Sequence, residues 1–211
     1  MANTAALTGI NGLQDIRRSP AYHLTEALAA GSVPGKVVLN EGPFQTMAGV
    51  RVDPHSEAGS RIAAATGGLP ARCGDVAGTD SISVLWLGPS EFMAVAPEAA
   101  HDSLGGNLLG SLLEALGDAP GQVVDLSANR TTFELSGPRA RAVLEKGCAL
   151  DLHPRSFTPG TALTTEVGNI PLVLQKTAEN SFRLFPRASF AEFLGRWLLD
   201  AMREYASPEV P

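Results

Sequence analysis

Apolar and polar residues alternate over Gly49–Asp53, and this period of two predicts a short β-strand. Asp53 and Pro54 follow. An aspartate can accept hydrogen bonds from the free N–H groups at a helix start, and proline loses nothing at the first helical position, so we expect Asp53 to be an N-cap. The helix is expected to run through Ala65 and to end at Gly67–Gly68.

Two further apolar runs, Ile82–Leu87 and Phe92–Ala96, flank Gly88–Glu91 and predict a β-hairpin. A helix is expected after Pro97 and should end at Gly117, because leucines recur there at the three- and four-residue spacing of one helix face. These leucines are Leu104, Leu108, Leu109, Leu112, Leu113 and Leu116. The first half of the chain is therefore predicted as strand, helix, hairpin, helix.

The second half repeats this order. Val123–Leu126 and Thr132–Leu135 predict two strands, and Ser127–Asn129 predicts a turn that pairs them as a hairpin. Gly137 and Pro138 then stop the strand and open a short helix with Val143 and Leu144 on its buried side. Gly147 is expected to end this helix in the left-handed conformation.

Another hairpin is predicted from Ile170–Gln175 and Phe182–Phe185 around Ala178–Asn180, and a last helix follows Pro186. Ser189 and Glu192 have the spacing of a capping box at its start. An apolar stripe at helical spacing is expected to face the core. Its members are Phe190, Phe193, Leu194, Trp197, Leu198, Ala201, Met202 and Tyr205.

Strands mixed with helices and joined by hairpins favour an α+β fold, built from two similar strand-helix-hairpin-helix modules with antiparallel sheets. We divide the chain into an N-terminal arm (1–40), a first module (41–120), a second module (121–206) and a C-terminal tail (207–211). The arm contains a short helix over Leu24–Ala29, broken by Gly31 and Pro34. It is expected to lie over a partner or over the body of the protein, because it has too little apolar surface to fold alone.

Charge and hydropathy along the chain argue against nucleic-acid and membrane partners. The formal net charge is −6, and the largest basic groups are the pair Arg17–Arg18 and the set Arg139, Arg141 and Lys146, so no nucleic-acid partner is expected. No apolar run approaches the ~20 residues that span a bilayer, and MANTAALTGI lacks the features of a signal peptide. We therefore expect no membrane association and a cytoplasmic protein.

Charged residues make up 18% of the chain, below the ~25% of an average soluble domain. A low share of charged residues suits a chain that hides much of its surface against partner proteins. A simple composition bias toward alanine, glycine and proline explains it equally well. Both explanations stay open at this point.

The sequence offers few catalytic or metal-binding candidates. Cys73 and Cys148 lack a CxxC spacing and are expected to be free thiols that act as small buried hydrophobic residues. The histidines show none of the spacings that place two imidazoles on one metal, so no metal site is predicted. They are His23, His55, His101 and His153.

Other candidates suit structural roles better. The glycine-containing stretch Gly67–Gly78 has neither GxGxxG after a strand nor a GK[ST] ending, so it is interpreted as a loop. Ser136–Pro138 lacks the GxSxG pattern of a nucleophile elbow. Asp125 and Asp151 suit turns or caps at least as well as acid-base chemistry. We therefore predict no catalytic, cofactor-binding or metal-ligating residue in this chain.

Two segments resemble a known family. The run DLSANRTTFELSGPRARAVLEKGCALDLHPRSFTPG begins at Asp125, and RLFPRASFAEFLGRWLLDAMREY begins at Arg183. Together they resemble the gamma subunit of heterotetrameric sarcosine oxidase, over a region from about Ser81 to Tyr205. The order LWLGPSEFMAVAP, a helix, VVDLS and LSGPRA is also similar to the folate-binding fold of the glycine cleavage aminomethyltransferase and its relatives.

The resemblance implies a non-catalytic gamma subunit that packs against alpha, beta and delta subunits. The complex is expected to demethylate sarcosine oxidatively to glycine, giving hydrogen peroxide and passing the one-carbon unit to tetrahydrofolate. FAD, FMN, NAD, tetrahydrofolate and zinc are expected on the partner subunits and none in this chain.

Two alternatives remain: a stand-alone folate-binding or aminomethyl-transferring protein of the same fold, and a soluble α+β domain with an unrelated binding role. The folate-binding relatives carry a Tyr-Thr-Gly-Glu-x-Gly type motif whose glutamate holds the pterin. Nothing similar follows Tyr22 or Tyr205, the two tyrosines of this chain. The resemblance therefore implies a retained fold without the pterin site.

Overall fold

A computed structural model describes residues 17–206 of the chain, which form two five-stranded antiparallel sheets and five α-helices. The strands are β1 Val38–Glu41, β2 Gln45–Val52, β3 Val76–Gly78, β4 Ser83–Gly88, β5 Glu91–Pro97, β6 Gly121–Asp125, β7 Phe133–Ser136, β8 Thr161–Val167, β9 Ile170–Ala178 and β10 Ser181–Pro186. The helices are α1 Thr25–Gly31, α2 Glu57–Thr66, α3 Leu108–Leu116, α4 Ala140–Glu145 and α5 Ala191–Ala206. The α+β class with antiparallel sheets is thereby confirmed.

The first sheet has the strand order β3-β4-β5-β2-β6, and the second has the order β1-β7-β10-β9-β8. Alternation along β5 shows how the first sheet is used. Phe92, Ala94 and Ala96 belong to a core shared with α2 and α3, while Met93 and Val95 belong to a core shared with β8, β9 and β10. The two sheets therefore pack face to face. The second sheet packs its other face on α1, α4 and α5.

Both predicted hairpins with short turns are confirmed, since β4 pairs with β5 and β9 pairs with β10. The predicted hairpin of Val123–Leu126 with Thr132–Leu135 was wrong. β6 pairs with β2 in the first sheet, whereas β7 lies between β1 and β10 in the second. The intervening segment crosses between the sheets because the Ser127 hydroxyl accepts from the Met47 backbone N–H at 3.0 Å and so fixes the segment to β2.

Helix α2 ends at Gly67 as predicted, in the left-handed conformation with φ 81°. Its start differs from the prediction. Ser56 is the N-cap and its side chain accepts from the Gly59 N–H at 3.0 Å. Asp53 instead accepts from the His55 N–H at 2.9 Å, because a short aspartate side chain closes a turn two residues on as readily as it caps a helix.

Helix α3 begins at Leu108, well after Pro97, and ends at Gly117 as predicted. The Asp102 carboxylate accepts from the N–H groups of Leu109 and Gly110 at 3.0 and 2.8 Å, which satisfies part of the helix start. Leu108, Leu112 and Leu116 are buried. Leu104 lies in a preceding 3-10 turn and Leu113 is exposed, so the predicted six-leucine face was too wide.

Three predictions about α4 and α5 were wrong. Gly137, not Gly147, has the positive φ, at 112°. Gly147 is needed for another reason: a Cβ there would lie 2.4 Å from Cζ2 of Trp197. Ser189 lies within a 3-10 turn that precedes α5, where no side-chain cap bond forms, so the capping box was wrong. Phe193 is 54% exposed and does not belong to the buried stripe.

The described part of the N-terminal arm packs on the body. Leu24, Leu28 and Leu39 lie in the core that α5 and β7 also line. The arm's helix is confirmed as α1, while β1, β3 and β8 were missed. β3 lies at the end of Gly67–Gly78, so the interpretation of that stretch as a loop was wrong there. Residues 1–16 and the tail 207–211 lie outside the described residues. The boundaries 1–40, 41–120 and 121–206 stay a prediction.

Candidate functional site

Residues 126–132 connect β6 to β7 and pass between the two sheets, with cavities on either side. Ser127 anchors one end of this segment through Met47, and Leu126 donates to the Met47 carbonyl at 2.8 Å. At the other end, Arg130 forms an antiparallel backbone bridge with Arg187, just after β10. The crossing segment therefore sets the positions of polar side chains at the junction of the sheets.

Arg130 is the most constrained cation at this junction. Its Nη1 donates to the Phe185 carbonyl at 2.7 Å, and its buried Nε has no hydrogen-bond partner among the described residues. Burial lowers the pKa of the Arg130 guanidinium, and the neighbouring charge of Arg187 lowers it further. Within the described part of the chain, the Arg130 guanidinium therefore lacks an acceptor for its Nε. It also lies beside a like charge without a carboxylate among those residues to offset it.

Two cavities of about 380 and 460 Å³ lie beside Arg130 and share four lining residues, Leu87, Glu91, Arg130 and Arg187. We call this surface the arginine groove. Glu91 already pairs with Arg51 across β2 and β5, at 3.1 Å between Oε2 and Nη2. Within residues 17–206, neither Arg130 nor Arg187 forms an ion pair with a carboxylate. The groove is accordingly positive, although the whole chain has a net charge of −6.

A smaller cavity, of about 220 Å³, lies on the other side of the crossing segment. Beside it, Glu41 fastens the N-terminal segment to the body. Its carboxylate accepts from the Ser19 hydroxyl, from the Ala21 N–H at 3.0 Å and from the Thr131 hydroxyl at 2.6 Å. Both carboxylate oxygens are therefore engaged. Arg17 covers the cavity, with its guanidinium carbon 4.0 Å from the centroid of the Phe44 ring.

A serine, a histidine and an aspartate meet at a neighbouring cavity of about 170 Å³, an arrangement that the sequence did not indicate. His101 Nε2 lies 2.9 Å from Asp125 Oδ2, and Ser103 Oγ lies 2.7 Å from His101 Nδ1. Nδ1 also accepts the backbone N–H of Ser103 at 3.2 Å. Nδ1 is therefore shared between the backbone N–H and the hydroxyl of Ser103. The arrangement caps the 3-10 turn Asp102–Leu104.

Asp125 bonds to His101 in this arrangement, and its surroundings shift the pKa of its carboxyl in opposite directions. Burial raises the pKa of the carboxyl, but hydrogen bonds from Ser127 and His101 together outweigh it, so the pKa lies below its ordinary value. Asp151 closes a turn in the segment before β8, where it accepts from the His153 N–H at 2.9 Å and the Ser156 hydroxyl at 2.6 Å. Both aspartates thus occupy the turn-type roles expected for them.

The two cysteines differ in their exposure, and neither belongs to a metal-binding cluster among the described residues. Cys73 and Cys148 are free, as expected, but Cys73 is exposed, so its interpretation as a buried residue was wrong. Cys73 sits beside a tight turn in which Asp75 bonds back to Arg72, and this turn keeps the residue at the surface. Among residues 17–206, no three His, Cys, Asp or Glu side chains come close enough to hold a metal ion. The absence of site residues stays a prediction.

Lys176 is a polar core residue that sequence reasoning missed. It lies on β9 with its side chain 1% exposed, and its Nζ donates to the Phe157 carbonyl at 3.1 Å. Glu179 Oε2 lies 3.6 Å away and is largely exposed. Phe157 stacks on Phe182 with 6.4 Å between ring centroids. Lys176 therefore ties the loop before β8 to the second sheet. Its place among polar neighbours along β9 gave no sign of this burial.

Comparison with known proteins gives a consistent family. Residues 49–204 match the sarcosine oxidase, gamma subunit family. The sarcosine oxidase subunit gamma of Arthrobacter sp is 52% identical over 197 residues, which cover 92% of this chain and 94% of that protein. The subunit gamma of Corynebacterium sp. (strain U-96) is 50% identical over 199 residues, with the same coverage.

Solved structures agree with this match. A chain of heterotetrameric sarcosine oxidase from Corynebacterium sp. U-96, in complex with pyrrole 2-carboxylate, aligns with a TM-score of 0.87 and 49% identity over 93% of this chain and all of that chain. Aminomethyltransferase T of the glycine cleavage system from Bartonella henselae aligns with a TM-score of 0.64 at 17% identity, covering 87% of this chain and 57% of that chain. The second match shows a shared fold.

Proposed function

Because the chain belongs to the sarcosine oxidase, gamma subunit family, we propose that it is the gamma subunit of a heterotetrameric sarcosine oxidase and serves that complex as a non-catalytic packing subunit. The observation that carries the proposal is the match, at 49% identity over 93% of this chain, to a chain of a heterotetrameric sarcosine oxidase. The other subunits are alpha, beta and delta. The complex oxidatively demethylates sarcosine to glycine, with hydrogen peroxide as a product and the one-carbon unit passed to tetrahydrofolate.

The side chains of this subunit support a structural role. The serine, histidine and aspartate at His101 serve in capping, since Nδ1 of His101 accepts the backbone N–H of Ser103 at the start of the 3-10 turn Asp102–Leu104. The positive groove holds two arginines and no unpaired carboxylate among its shared lining residues. His101, Asp125 and Glu91 already have hydrogen-bond or ion-pair partners, which supports a structural role over that of a general base.

We assign FAD, FMN, NAD, tetrahydrofolate and zinc to the partner subunits. Among the described residues, the carboxylate beside the small cavity does not fit a pterin, which a free glutamate would hold. Glu41, the carboxylate beside the small cavity, has both oxygens engaged by Ser19, Ala21 and Thr131. The alternative of a stand-alone folate-binding or aminomethyl-transferring protein is therefore not favoured.

The proposed compartment is the cytoplasm, which suits two unpaired thiols at Cys73 and Cys148. No helix among residues 17–206 has the length and apolar character needed to cross a membrane.

Expression of the complex with and without this chain tests the proposal. We expect the complex that lacks the chain to lose assembly or thermal stability, and the chain purified alone to show no flavin absorption. Flavin bound to the isolated chain, or full oxidase turnover by an equally stable complex without it, contradicts the proposal. Micromolar binding of tetrahydrofolate to the isolated chain in calorimetry supports the folate-binding alternative instead.

A single variant separates a structural from a catalytic role. We expect His101→Gln to leave the turnover of the assembled complex within about twofold of the wild-type value, because His101 acts in capping and not on substrate. A loss of about a hundredfold with unchanged assembly, the size that removal of a general acid or base produces, shows a catalytic role.

A further inference from the structure

The fold brings two arginines together from segments that are far apart in the sequence. The bridge between Arg130 and Arg187 is flanked by a bond from the Ala188 N–H to the Asn129 carbonyl at 2.8 Å and by one from the Thr131 N–H to the Pro186 carbonyl at 3.3 Å. In antiparallel pairing, directly opposite side chains lie on the same face, where like charges repel. The subunit therefore maintains a pair that is unfavourable on its own.

The charges around this pair do not neutralise it. Arg51, Arg130 and Arg187 line the cavity of about 380 Å³. Glu91, the acidic residue that lines both cavities, already pairs with Arg51. The remaining two guanidiniums have no carboxylate partner among residues 17–206, and the Nε of Arg130 is buried without an acceptor. A planar guanidinium binds a carboxylate in a two-point geometry, so an incoming carboxylate supplies the charge partner that the exposed Arg187 lacks and offsets its repulsion with Arg130.

The shape and lining of the arginine groove favour a protein side chain over a free ion. The two cavities, of about 380 and 460 Å³, exceed the size of a small anion. Their margins are partly apolar, with contributions from Val124, Pro171 and Phe190. Val124 is 38% exposed, although it lies on a strand. Charges are arranged across protein interfaces so that a positive patch meets a negative one, so the groove suits an acidic residue that is carried on a folded partner surface.

We propose that the arginine groove receives an acidic side chain, aspartate or glutamate, from a partner subunit of the heterotetramer. This inference rests on the proposed function, because it requires that the chain assembles with partner subunits. Arg187 is exposed and reaches the partner, while Arg130 is held by the Phe185 carbonyl and forms the inner side of the contact.

The test measures how tightly the full chain binds to the complex of the remaining subunits, at low and high ionic strength. Arg187→Glu is the test variant because its side chain is exposed and its removal leaves the core intact. Arg203→Glu is the matched control, since Arg203 is exposed, lies on α5 and pairs with Asp200 at 3.0 Å. Thermal unfolding of each isolated variant checks that its fold is retained.

We expect Arg187→Glu to weaken binding by at least about tenfold and to reduce its salt dependence, because charge reversal replaces attraction by repulsion, while Arg203→Glu stays within about twofold. Equal binding by wild type and Arg187→Glu overturns the inference. So does competition by inorganic phosphate that abolishes the difference at constant ionic strength, which identifies a free anion as the occupant. Failure of the wild-type chain itself to bind contradicts the proposed function instead.

Discussion

The indole ring of Trp197 lies so close to Gly147 that a β-carbon at the glycine would be 2.4 Å from the ring atom Cζ2. This contact fixes helix α5 against the end of α4. We expect Gly147→Ala to lower the free energy of unfolding by about 1–3 kcal/mol, because the added methyl group displaces a packed ring. Urea denaturation of the isolated chain measures this change in the free energy of unfolding. Gly88→Ala is the control, since a Cβ there meets its nearest neighbour at an ordinary 3.6 Å.

Two aromatic residues of α5 should respond very differently to truncation. Trp197 packs against the core beside Gly147 and Gly168, so we expect Trp197→Ala to lower the free energy of unfolding by about 3 kcal/mol. Phe193 is 54% exposed, and Phe193→Ala should change the free energy of unfolding by no more than about 0.5 kcal/mol. Equal effects of the two variants in thermal unfolding contradict this placement of the helix.

The buried Lys176 provides a third prediction. Lys176→Ala leaves a cavity on β9 and removes the donor to the Phe157 carbonyl, so we expect a loss of about 2–4 kcal/mol in the free energy of unfolding. Glu179→Ala removes only the exposed partner and should cost no more than about 1 kcal/mol. If chemical denaturation gives similar losses for both, the ion pair and not the burial of the lysine stem is the dominant contribution.

Stability near Asp125 should depend on pH in a defined direction. The pKa of this carboxyl is lower in the folded chain than its ordinary value of 3.8, so the folded state gains stability above that value and loses it as the pH falls through the folded pKa. Asp125→Asn should therefore lower the melting temperature most at neutral pH and progressively less below pH 3.8. The side chain is half-exposed, which limits the expected effect to less than about 1 kcal/mol.

A melting-temperature difference between wild type and Asp125→Asn that stays constant down to the acidic end of the range speaks against this linkage. Asp151→Asn is a useful comparison in the same assay. Asp151 also has a lowered pKa, because of hydrogen bonds from Ser156 and His153, but it lies away from the crossing segment.

Local signals in the sequence predicted the elements that local chemistry determines. The β4–β5 and β9–β10 hairpins follow from short turns between apolar runs. Strands joined by so short a turn pair antiparallel with each other. Gly67 and Gly117 end their helices as the sequence indicated. Each of these features depends on residues within a few positions of one another.

The wrong predictions have a different origin. The pattern over Val123–Leu135 correctly identified two strands but not their partners, because alternation specifies a buried face and not which strand lies beside it. The exposure of Phe193 depends likewise on where α5 meets the sheet. Arg130 and Arg187 were missed for the same reason, since neither stands in a basic cluster and only the fold brings them together.

Within residues 17–206, strand β1 pairs with β7 alone, and β7 lies in the other half of the chain. During translation, β1 leaves the ribosome long before its neighbour has been synthesised. The second sheet consequently forms only after most of the polypeptide has emerged, and its assembly is expected to be slow because distant segments must first find one another. A chaperone that shields nascent strands would act on this stage of synthesis.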